Sequence, residues 1–129
     1  MNGNQGKATK PRRSGVPPAL LDGAPPPDFS DGRLEVRAAD RVVLTDGRHL
    51  QLAPSQLGLL VELLRHAGSV RTREQLMAAV WGPGAEAGPR AVDVAIARLR
   101  AQLRRRIPGV AYIHTDVRSG YRFAREPVD

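Results

Sequence analysis

The sequence predicts an α+β fold, and three successive patterns of hydrophobic spacing carry this prediction. Alternating apolar and polar residues over 33–52 are typical of a small antiparallel sheet. Three helical segments follow between 54 and 106, and two short β-prone runs over 111–124 complete the pattern. The expected order is an N-terminal antiparallel sheet, a three-helix core and a C-terminal β-hairpin.

The two ends of the chain are predicted to be tails. Residues 1–32 hold six of the eleven prolines and few residues that could enter a core, so we expect a disordered, basic tail rich in proline and glycine. The folded domain is expected over 33–125, and 126–129 form a short C-terminal tail. A further strand around Phe29 is the only element that the first tail is expected to add to the sheet.

The sheet is predicted from turn signals between alternating runs. Leu34 to Arg37 alternates as a half-buried strand does, and a second run, Arg41 to Leu44, follows an Ala-Asp turn. Asp46-Gly47 separates this run from 48–52. An Asp-Gly pair favours a two-residue hairpin because both residues tolerate a positive φ.

The first two helices are predicted from their ends. Pro54 suits the first position of a helix, where its missing N–H costs nothing, and Gly68 ends that helix after about His66. Thr72 and Gln75 have the spacing of a capping box, in which each side chain satisfies a free N–H group of the other residue. The second helix is expected to end at Trp81.

The third helix, 89–106, is predicted to be strongly two-sided. Val92, Ile96, Leu99 and Leu103 recur at the spacing of one helical face. Six arginines stand in this segment against a single acid, Asp93. The opposite face carries Arg90, Val94, Ala97, Arg98, Ala101, Arg104 and Arg105. Such a helix is suited to lie on a core and present a basic surface to a polyanion.

The last two β-prone runs, 111–115 and 120–124, are predicted to form a hairpin with Arg118 near its tip. Three helices followed by a hairpin are the order of the winged helix-turn-helix, in which the last helix enters the major groove of DNA. The prediction places helix 89–106 in that groove and the wing, 112–124, on the adjacent backbone or minor groove.

Composition agrees with this interpretation and excludes several other classes. Twenty Lys and Arg against thirteen Asp and Glu give a net charge of +7, which favours an acidic partner or nucleic acid. With no cysteine, disulfides and thiolate metal sites are unavailable, as expected in a reducing cytoplasm. No apolar run approaches the roughly 18 residues of a membrane span. The three histidines lie far apart, and no nucleophile or phosphate-loop motif is present, so we expect no enzyme, metal or cofactor.

Several linked motifs resemble the C-terminal effector domain of OmpR/PhoB-type bacterial response regulators. They are 52–60 (LAPSQLGLL), 68–82 (GSVRTREQLMAAVWG), 90–100 (RAVDVAIARLR) and 120–123 (GYRF). The resemblance covers roughly 33–125 without large gaps. It implies the same architecture, namely an N-terminal sheet, a three-helix core and a wing.

The resemblance also implies roles for individual residues. Arg98 matches an arginine that reads guanine, and Val94 would contact a thymine methyl group. Other matching positions are implied to contact phosphates, and they are Trp81, Arg90, Arg100, Thr115 and Tyr121. Arg104, near the end of the helix, is expected to contact phosphate as part of a general electrostatic contribution. For the two aromatic residues, simple packing in the core is the alternative.

Three departures from the family pattern suggest fewer direct contacts with DNA. Alanine stands at 91, 95 and 97, where the family usually carries Thr, His and Arg. The arginine of the wing is shifted by one place to Arg118, which puts its insertion into the minor groove in doubt. Ala53 stands where a threonine commonly caps the first helix, a loss of about 1 kcal/mol.

The resemblance also implies partners. The loop 82–89 corresponds to the family's transactivation loop, so Glu86 is expected to contact RNA polymerase; a plain connector is the alternative. A homodimer on repeated half-sites is expected on DNA. Since 1–32 cannot supply a receiver domain, we expect an orphan regulator or the output part of something larger.

The sequence therefore predicts a transcriptional regulator, associated with the nucleoid, that binds specific double-stranded DNA. Two alternatives remain open. One is a winged-helix module that binds acidic proteins, and the other is an architectural protein that binds DNA without sequence preference. DNA affinity that depends wholly on salt and is indifferent to sequence would favour the module that binds acidic proteins.

Overall fold

The computed structural model describes residues 25–128. Its elements follow the predicted order of sheet, three helices and hairpin. They are β1 (Phe29–Ser30), β2 (Leu34–Arg37), β3 (Val42–Thr45), β4 (Arg48–His49), α1 (Pro54–Arg65), α2 (Arg73–Trp81), α3 (Arg90–Arg106), β5 (Val110–Asp116) and β6 (Gly120–Pro127). The α+β winged helix-turn-helix prediction is confirmed.

The N-terminal sheet is antiparallel with the strand order β1-β2-β3-β4. Asp46 and Gly47 both have positive φ, at 49° and 80°, so the predicted Asp-Gly hairpin is confirmed. The last strand is shorter than the predicted run 48–52, because the chain leaves the sheet after Leu50 to enter α1 at Pro54.

The ends of α1 and α2 are held as their sequences predict. In α2, the Thr72 hydroxyl accepts from Gln75 N at 3.0 Å and the Gln75 side chain accepts from Thr72 N at 2.9 Å, which confirms the capping box. In α1, Pro54 occupies the first turn. Ala53 has no side-chain oxygen to offer, so only half of a box forms there, with the Gln56 side chain accepting from Ala53 N at 3.1 Å.

The core lies where the three helices meet the two sheets. The predicted apolar stripe of α3 is fully buried, with Val92, Ile96 and Leu99 at 0 % exposure and Leu103 at 4 %. Leucines of α1 and α2 complete this interior, and they are Leu59, Leu60, Leu63 and Leu76. Burying this stripe leaves the opposite side of α3 facing outward.

The described fold extends beyond the predicted limits of 33 and 125 at both ends. At the N-terminal end, Phe29 packs edge-on against Tyr112 and Phe123, with ring centres 6.2 and 5.0 Å apart, and the expected strand around Phe29 is present as β1. At the other end β6 continues to Pro127, and Val128 N donates to Gly109 O. Residues 1–24 of the predicted tail lie outside the described residues.

Among residues 25–128, no helix is both long enough and apolar enough to cross a membrane.

Candidate nucleic-acid interface

The outward side of α3 carries most of the predicted contact residues. Arg90, Ala97, Arg98 and Arg104 are exposed, and Val94 is 40 % exposed, which is unusual for a large apolar side chain in this domain. Because residues four apart lie on the same helical face, Arg90, Val94 and Arg98 form one row. The structure thus brings the two predicted base readers side by side on an open surface.

A shallow hollow accompanies this row. It is bounded by the start of α1 at Ser55, the end of α2 at Trp81, and the α3 residues Ala91, Val94 and Arg98. Trp81 is half-buried, so its ring closes one side of the hollow while part of it remains accessible. Trp81, Ala91 and Val94 contribute apolar surface to this hollow, and Ser55 and Arg98 contribute polar groups.

The next two predicted phosphate contacts are bound to each other. Arg100 Nη1 donates to Thr115 Oγ1 at 2.8 Å and lies 3.4 Å from the carbonyl oxygen of Ile113. The guanidinium of Arg100 also lies 5.7 Å from the centre of the Tyr121 ring. Arg100 is therefore half-buried against the wing, whereas Arg98 is exposed to solvent.

Tyr121 fits the packing alternative better than a phosphate contact. It is only 4 % exposed, and its hydroxyl donates to Asp93 Oδ1 at 2.6 Å. Burial raises the pKa of Tyr121, and the bond to Asp93 raises it further, so the phenol stays protonated. Since its one proton is committed to Asp93, the hydroxyl has none left to donate to a phosphate oxygen.

Asp93 and Arg73 are functional candidates that the sequence analysis did not identify. Arg73 Nε donates to the same oxygen, Asp93 Oδ1, at 2.7 Å, and its guanidinium lies 5.3 Å from the centre of the Tyr121 ring. The hydrogen bond from Tyr121 lowers the pKa of Asp93, and Arg73 lowers it further, against the opposing effect of desolvation. A single acid in an otherwise basic helix was the only sequence signal for this cluster.

The arginines at the end of α3 separate into two groups. Arg104 and Arg105 are exposed and add positive charge to the surface. Arg106 turns inward, where it donates to Thr45 Oγ1 at 2.7 Å and to the carbonyl oxygen of His49 at 3.0 Å. Arg106 thus fastens α3 to the N-terminal sheet and does not belong to the outward basic face.

The tip of the wing is a tight turn with two protruding side chains. Ser119 N donates to Asp116 O at 3.0 Å, which closes the turn. Val117 is 82 % exposed, and Arg118 is exposed beside it. The structure therefore places Arg118 at the tip, as predicted. Its neighbour Val117 stands where the family pattern has its arginine.

The wing is anchored at its base by a close backbone approach. Arg71 and Tyr121 exchange two backbone hydrogen bonds of 2.7 and 3.0 Å, and Gly120 has φ of +149°. A Cβ atom at Gly120 would lie 2.0 Å from the Arg71 carbonyl oxygen. Only glycine fits here, so the position of the wing depends on this residue.

Most residues of the loop 82–89 are exposed. Gly82 and Gly84 have positive φ of 97° and 76°, which glycine adopts without strain. Glu86 is exposed, and within residues 25–128 it forms no ion pair. Its carboxylate is available to a basic partner.

Known proteins with a similar sequence are regulators. The transcriptional regulatory protein AfsQ1 of Streptomyces coelicolor is 38 % identical over 74 residues, which are 57 % of this chain and 33 % of the relative. The chain spans between about a third and somewhat under half of the length of the curated relatives that it matches first.

Several solved structures with a similar fold are DNA-binding domains. The DNA-binding domain of Escherichia coli CadC superimposes with a TM-score of 0.67 and 27 % identity, covering 79 % of this chain and 95 % of that one. The RstA domain of Klebsiella pneumoniae, in complex with the RstA box, gives a TM-score of 0.64 and 33 % identity, covering 74 % and 95 %.

The model of the family described as "Transcriptional regulatory protein, C terminal" matches residues 47–123, which is more than half of the chain. These residues include all three helices and most of the wing, the elements that build the surface described above. The protein belongs to this family, the winged-helix effector domains of the OmpR/PhoB type.

Proposed function

We propose that this chain is a transcriptional regulator that binds specific sequences of double-stranded DNA, with α3 in the major groove. The observation that carries the proposal is the division of α3 into a fully buried apolar stripe and an open row formed by Arg90, Val94 and Arg98. The major groove is about 12 Å wide and admits one helix presented in this way. A solved structure shows the RstA domain, which has a similar fold, in complex with the RstA box.

Val94 and Arg98 are the proposed base readers. They lie one helical turn apart, about 6 Å along the axis, which corresponds to about two base steps of DNA. An arginine fork donates two hydrogen bonds to the O6 and N7 atoms of guanine, and a valine methyl group contacts the methyl group of thymine. The preferred site should therefore contain a guanine and a thymine about two base steps apart.

The proposed phosphate contacts lie at one end of this row and beside it. Arg90 ends the row and is exposed, Arg104 is exposed, and Trp81 is half-buried. Arg100 and Thr115 are already hydrogen-bonded together, so we assign them one shared phosphate. This is possible because a guanidinium has five N–H donors and the bond to Thr115 uses only one of them.

The wing supplies the outer contact. Arg118 and the exposed Val117 stand at its tip, where they would meet the backbone or the minor groove beside the site of α3. The negative potential of a narrow minor groove attracts arginine side chains. Tyr121 is not part of this contact set, for the reason given above.

Selection from random duplexes by the full chain tests the proposal. We expect enriched sequences to share a motif about one helical turn of DNA in length per protomer. Footprinting on a selected duplex should show protection of one major groove and of the adjoining backbone. Selected sequences without a common motif would contradict specific binding and favour the architectural or protein-binding alternative.

RNA polymerase and a second copy of the chain are further proposed partners. The exposed carboxylate of Glu86 on the loop 82–89 supports a contact with a basic polymerase surface. In transcription in vitro, Glu86→Lys should reduce activation while leaving the footprint intact; unchanged activation would leave the loop as a connector. Two adjacent motifs in the selected sequences would support a homodimer on DNA, and association with the nucleoid is proposed from DNA binding itself.

A further inference from the structure

The recognition helix and the wing are joined by a cluster of polar side chains at two points. Asp93 and Arg100 of α3 bind Tyr121 and Thr115 of the hairpin, respectively. We call these four residues the wing clamp.

The geometry of the wing clamp makes it rigid. Thr115 and Tyr121 are directly opposite each other in the ladder between β5 and β6, so they move together. Asp93 and Arg100 lie seven residues apart, about 10 Å along the axis of α3. Because α3 holds one cross-strand pair from two separated points, the clamp restricts both sliding and rotation of the wing against the helix.

Arg73 supports the clamp from α2. It donates to the same oxygen of Asp93 that accepts from Tyr121, at distances of 2.7 and 2.6 Å. Its guanidinium and that of Arg100 lie within 5.3 and 5.7 Å of the centre of the Tyr121 ring. Both are within the range of a cation–π interaction, so the ring is held as well as the hydroxyl.

Electrostatics alone would disfavour an acid at this position. Asp93 is the only acidic residue of α3, and it lies in the first turn of the helix that is proposed to face DNA phosphates. A carboxylate there repels phosphate, so a purely electrostatic view predicts that its removal strengthens binding. What Asp93 contributes instead is an acceptor for two donors from two different elements.

We propose that Asp93 and Tyr121 are positioning residues, which set the distance and angle between α3 and the wing so that both meet DNA together. This inference rests on the proposed function, and it adds that binding depends on the clamp as well as on the residues that touch DNA. A wing released from α3 would have to be ordered again on each encounter, which costs affinity.

The test compares single variants of the full chain, and the double variant Asp93→Ala/Tyr121→Phe, on one selected duplex. Asp93→Ala removes the acceptor, Asp93→Asn removes the charge but keeps an acceptor oxygen, and Tyr121→Phe removes only the donor. Glu74→Gln is the matched control, because Glu74 is an exposed acid in the first turn of α2 and pairs with no base within the part of the chain that the structure describes. Thermal unfolding confirms that each variant is folded at the assay temperature.

The clamp predicts an order of affinity that charge alone does not. Asp93→Ala should weaken binding about tenfold or more, and Asp93→Asn should weaken it less. In the Asp93→Ala background, Tyr121→Phe should weaken binding little further, because the two residues form one interaction. Because the contact of the wing with the DNA backbone is lost, the salt slope should also decrease. Hydroxyl-radical protection should disappear at the edge covered by the wing and remain at the centre. Tighter or equal binding by Asp93→Ala would overturn the proposal.

Hydrogen exchange in the free protein separates this proposal from the proposed function. Asp93→Ala should accelerate exchange of the Arg71 and Tyr121 amides about tenfold relative to those of Val36 and Val43 in the N-terminal sheet. If the wild-type chain bound no DNA, the proposed function would fail, and this measurement alone would decide whether the clamp exists. Unchanged protection of these two amides would show that Asp93 does not hold the wing.

Discussion

Two arginines of α3 show how much the surroundings of a single residue decide its role. Arg98 is exposed and forms no hydrogen bond or ion pair within residues 25–128, whereas Arg100 is half-buried and bonded to Thr115. The periodicity of the helix was sufficient to predict that Arg98 faces outward. It could not predict the partner of Arg100, because that depends on how the hairpin is placed against α3, a contact between residues distant in sequence.

The different surroundings of Arg98 and Arg100 predict different responses to substitution. Arg98→Ala should cost about 1–3 kcal/mol and relax the preference at one base pair, because it removes a base contact. Arg100→Ala should weaken binding to all duplexes alike and reduce the salt slope by about one, because it removes a phosphate contact. Titrations against single-base variants at several salt concentrations distinguish the two. A loss of base preference in Arg100→Ala would contradict its assignment.

Val94 can be tested by removing one methyl group from the DNA. Replacing the contacted thymine by deoxyuridine leaves its hydrogen bonds unchanged, so we expect a loss of about 0.8 kcal/mol, the value of one buried methyl group. In Val94→Ala the same replacement should have little effect. If every thymine of the site tolerated the change in the wild-type protein, Val94 would not read a methyl group.

At the level of elements, backbone approaches decide where the wing lies. The runs 111–115 and 120–124 predicted a hairpin, and a hairpin is present, but no local pattern indicated that it pairs with Arg71. The strand β1 was expected around Phe29, but no local pattern indicated that Phe29 packs on aromatic residues of the hairpin. Local spacing predicts elements, whereas long-range contacts fix their arrangement.

Gly120→Ala should disrupt this arrangement. The new Cβ would lie 2.0 Å from the Arg71 carbonyl oxygen in a backbone conformation that favours glycine, so we expect a loss of stability of more than about 2 kcal/mol. Gly109→Ala is the control, because a Cβ there meets nothing within 4 Å. The measurement is the free energy of unfolding in urea. Equal free energies of unfolding for the two variants would contradict the close approach of Gly120 to the Arg71 carbonyl oxygen.

Asp31 connects the N-terminal sheet with the hairpin, and it should make the free energy of unfolding depend on pH in the acidic range. It accepts from Tyr112 Oη at 2.6 Å, from Arg125 Nε at 2.7 Å, and from the backbone N–H groups of Arg33 and Leu34. Burial by itself would raise the pKa of Asp31, but these bonds, led by that from Tyr112, lower it below its usual value. The ionised form is therefore favoured in the folded protein.

The sign of the effect follows from linkage. A folded-state pKa below that of the unfolded chain gives stability that is present above the unfolded value, 3.8, and is lost as the pH falls through the folded value. Asp31→Asn should lower the free energy of unfolding at neutral pH and flatten its decline in acid. Urea unfolding between pH 7 and about 3 measures this. An acid dependence as steep as that of the wild type would exclude Asp31 as its source.

In the whole molecule, the proposed DNA contacts lie on one surface, and the other elements hold α3 in position. The N-terminal sheet holds the far end of α3 through Arg106, α2 supports its start through Arg73, and the hairpin lies along its side. Periodicity and turn signals were sufficient for the fold and for the open row of α3. They were insufficient for the inward turn of Arg106 and the burial of Tyr121, since both depend on contacts between elements.

The open row of α3 is proposed to give the protein its sequence-specific binding of DNA. The most direct measurement is the affinity of the full chain for a selected duplex and for a scrambled duplex of equal length, at near-physiological salt. We predict that the selected duplex is bound about a thousandfold more tightly or better, and that Arg98→Ala removes part of this ratio. Equal affinity for the two duplexes, with the same dependence on salt, would contradict the claim.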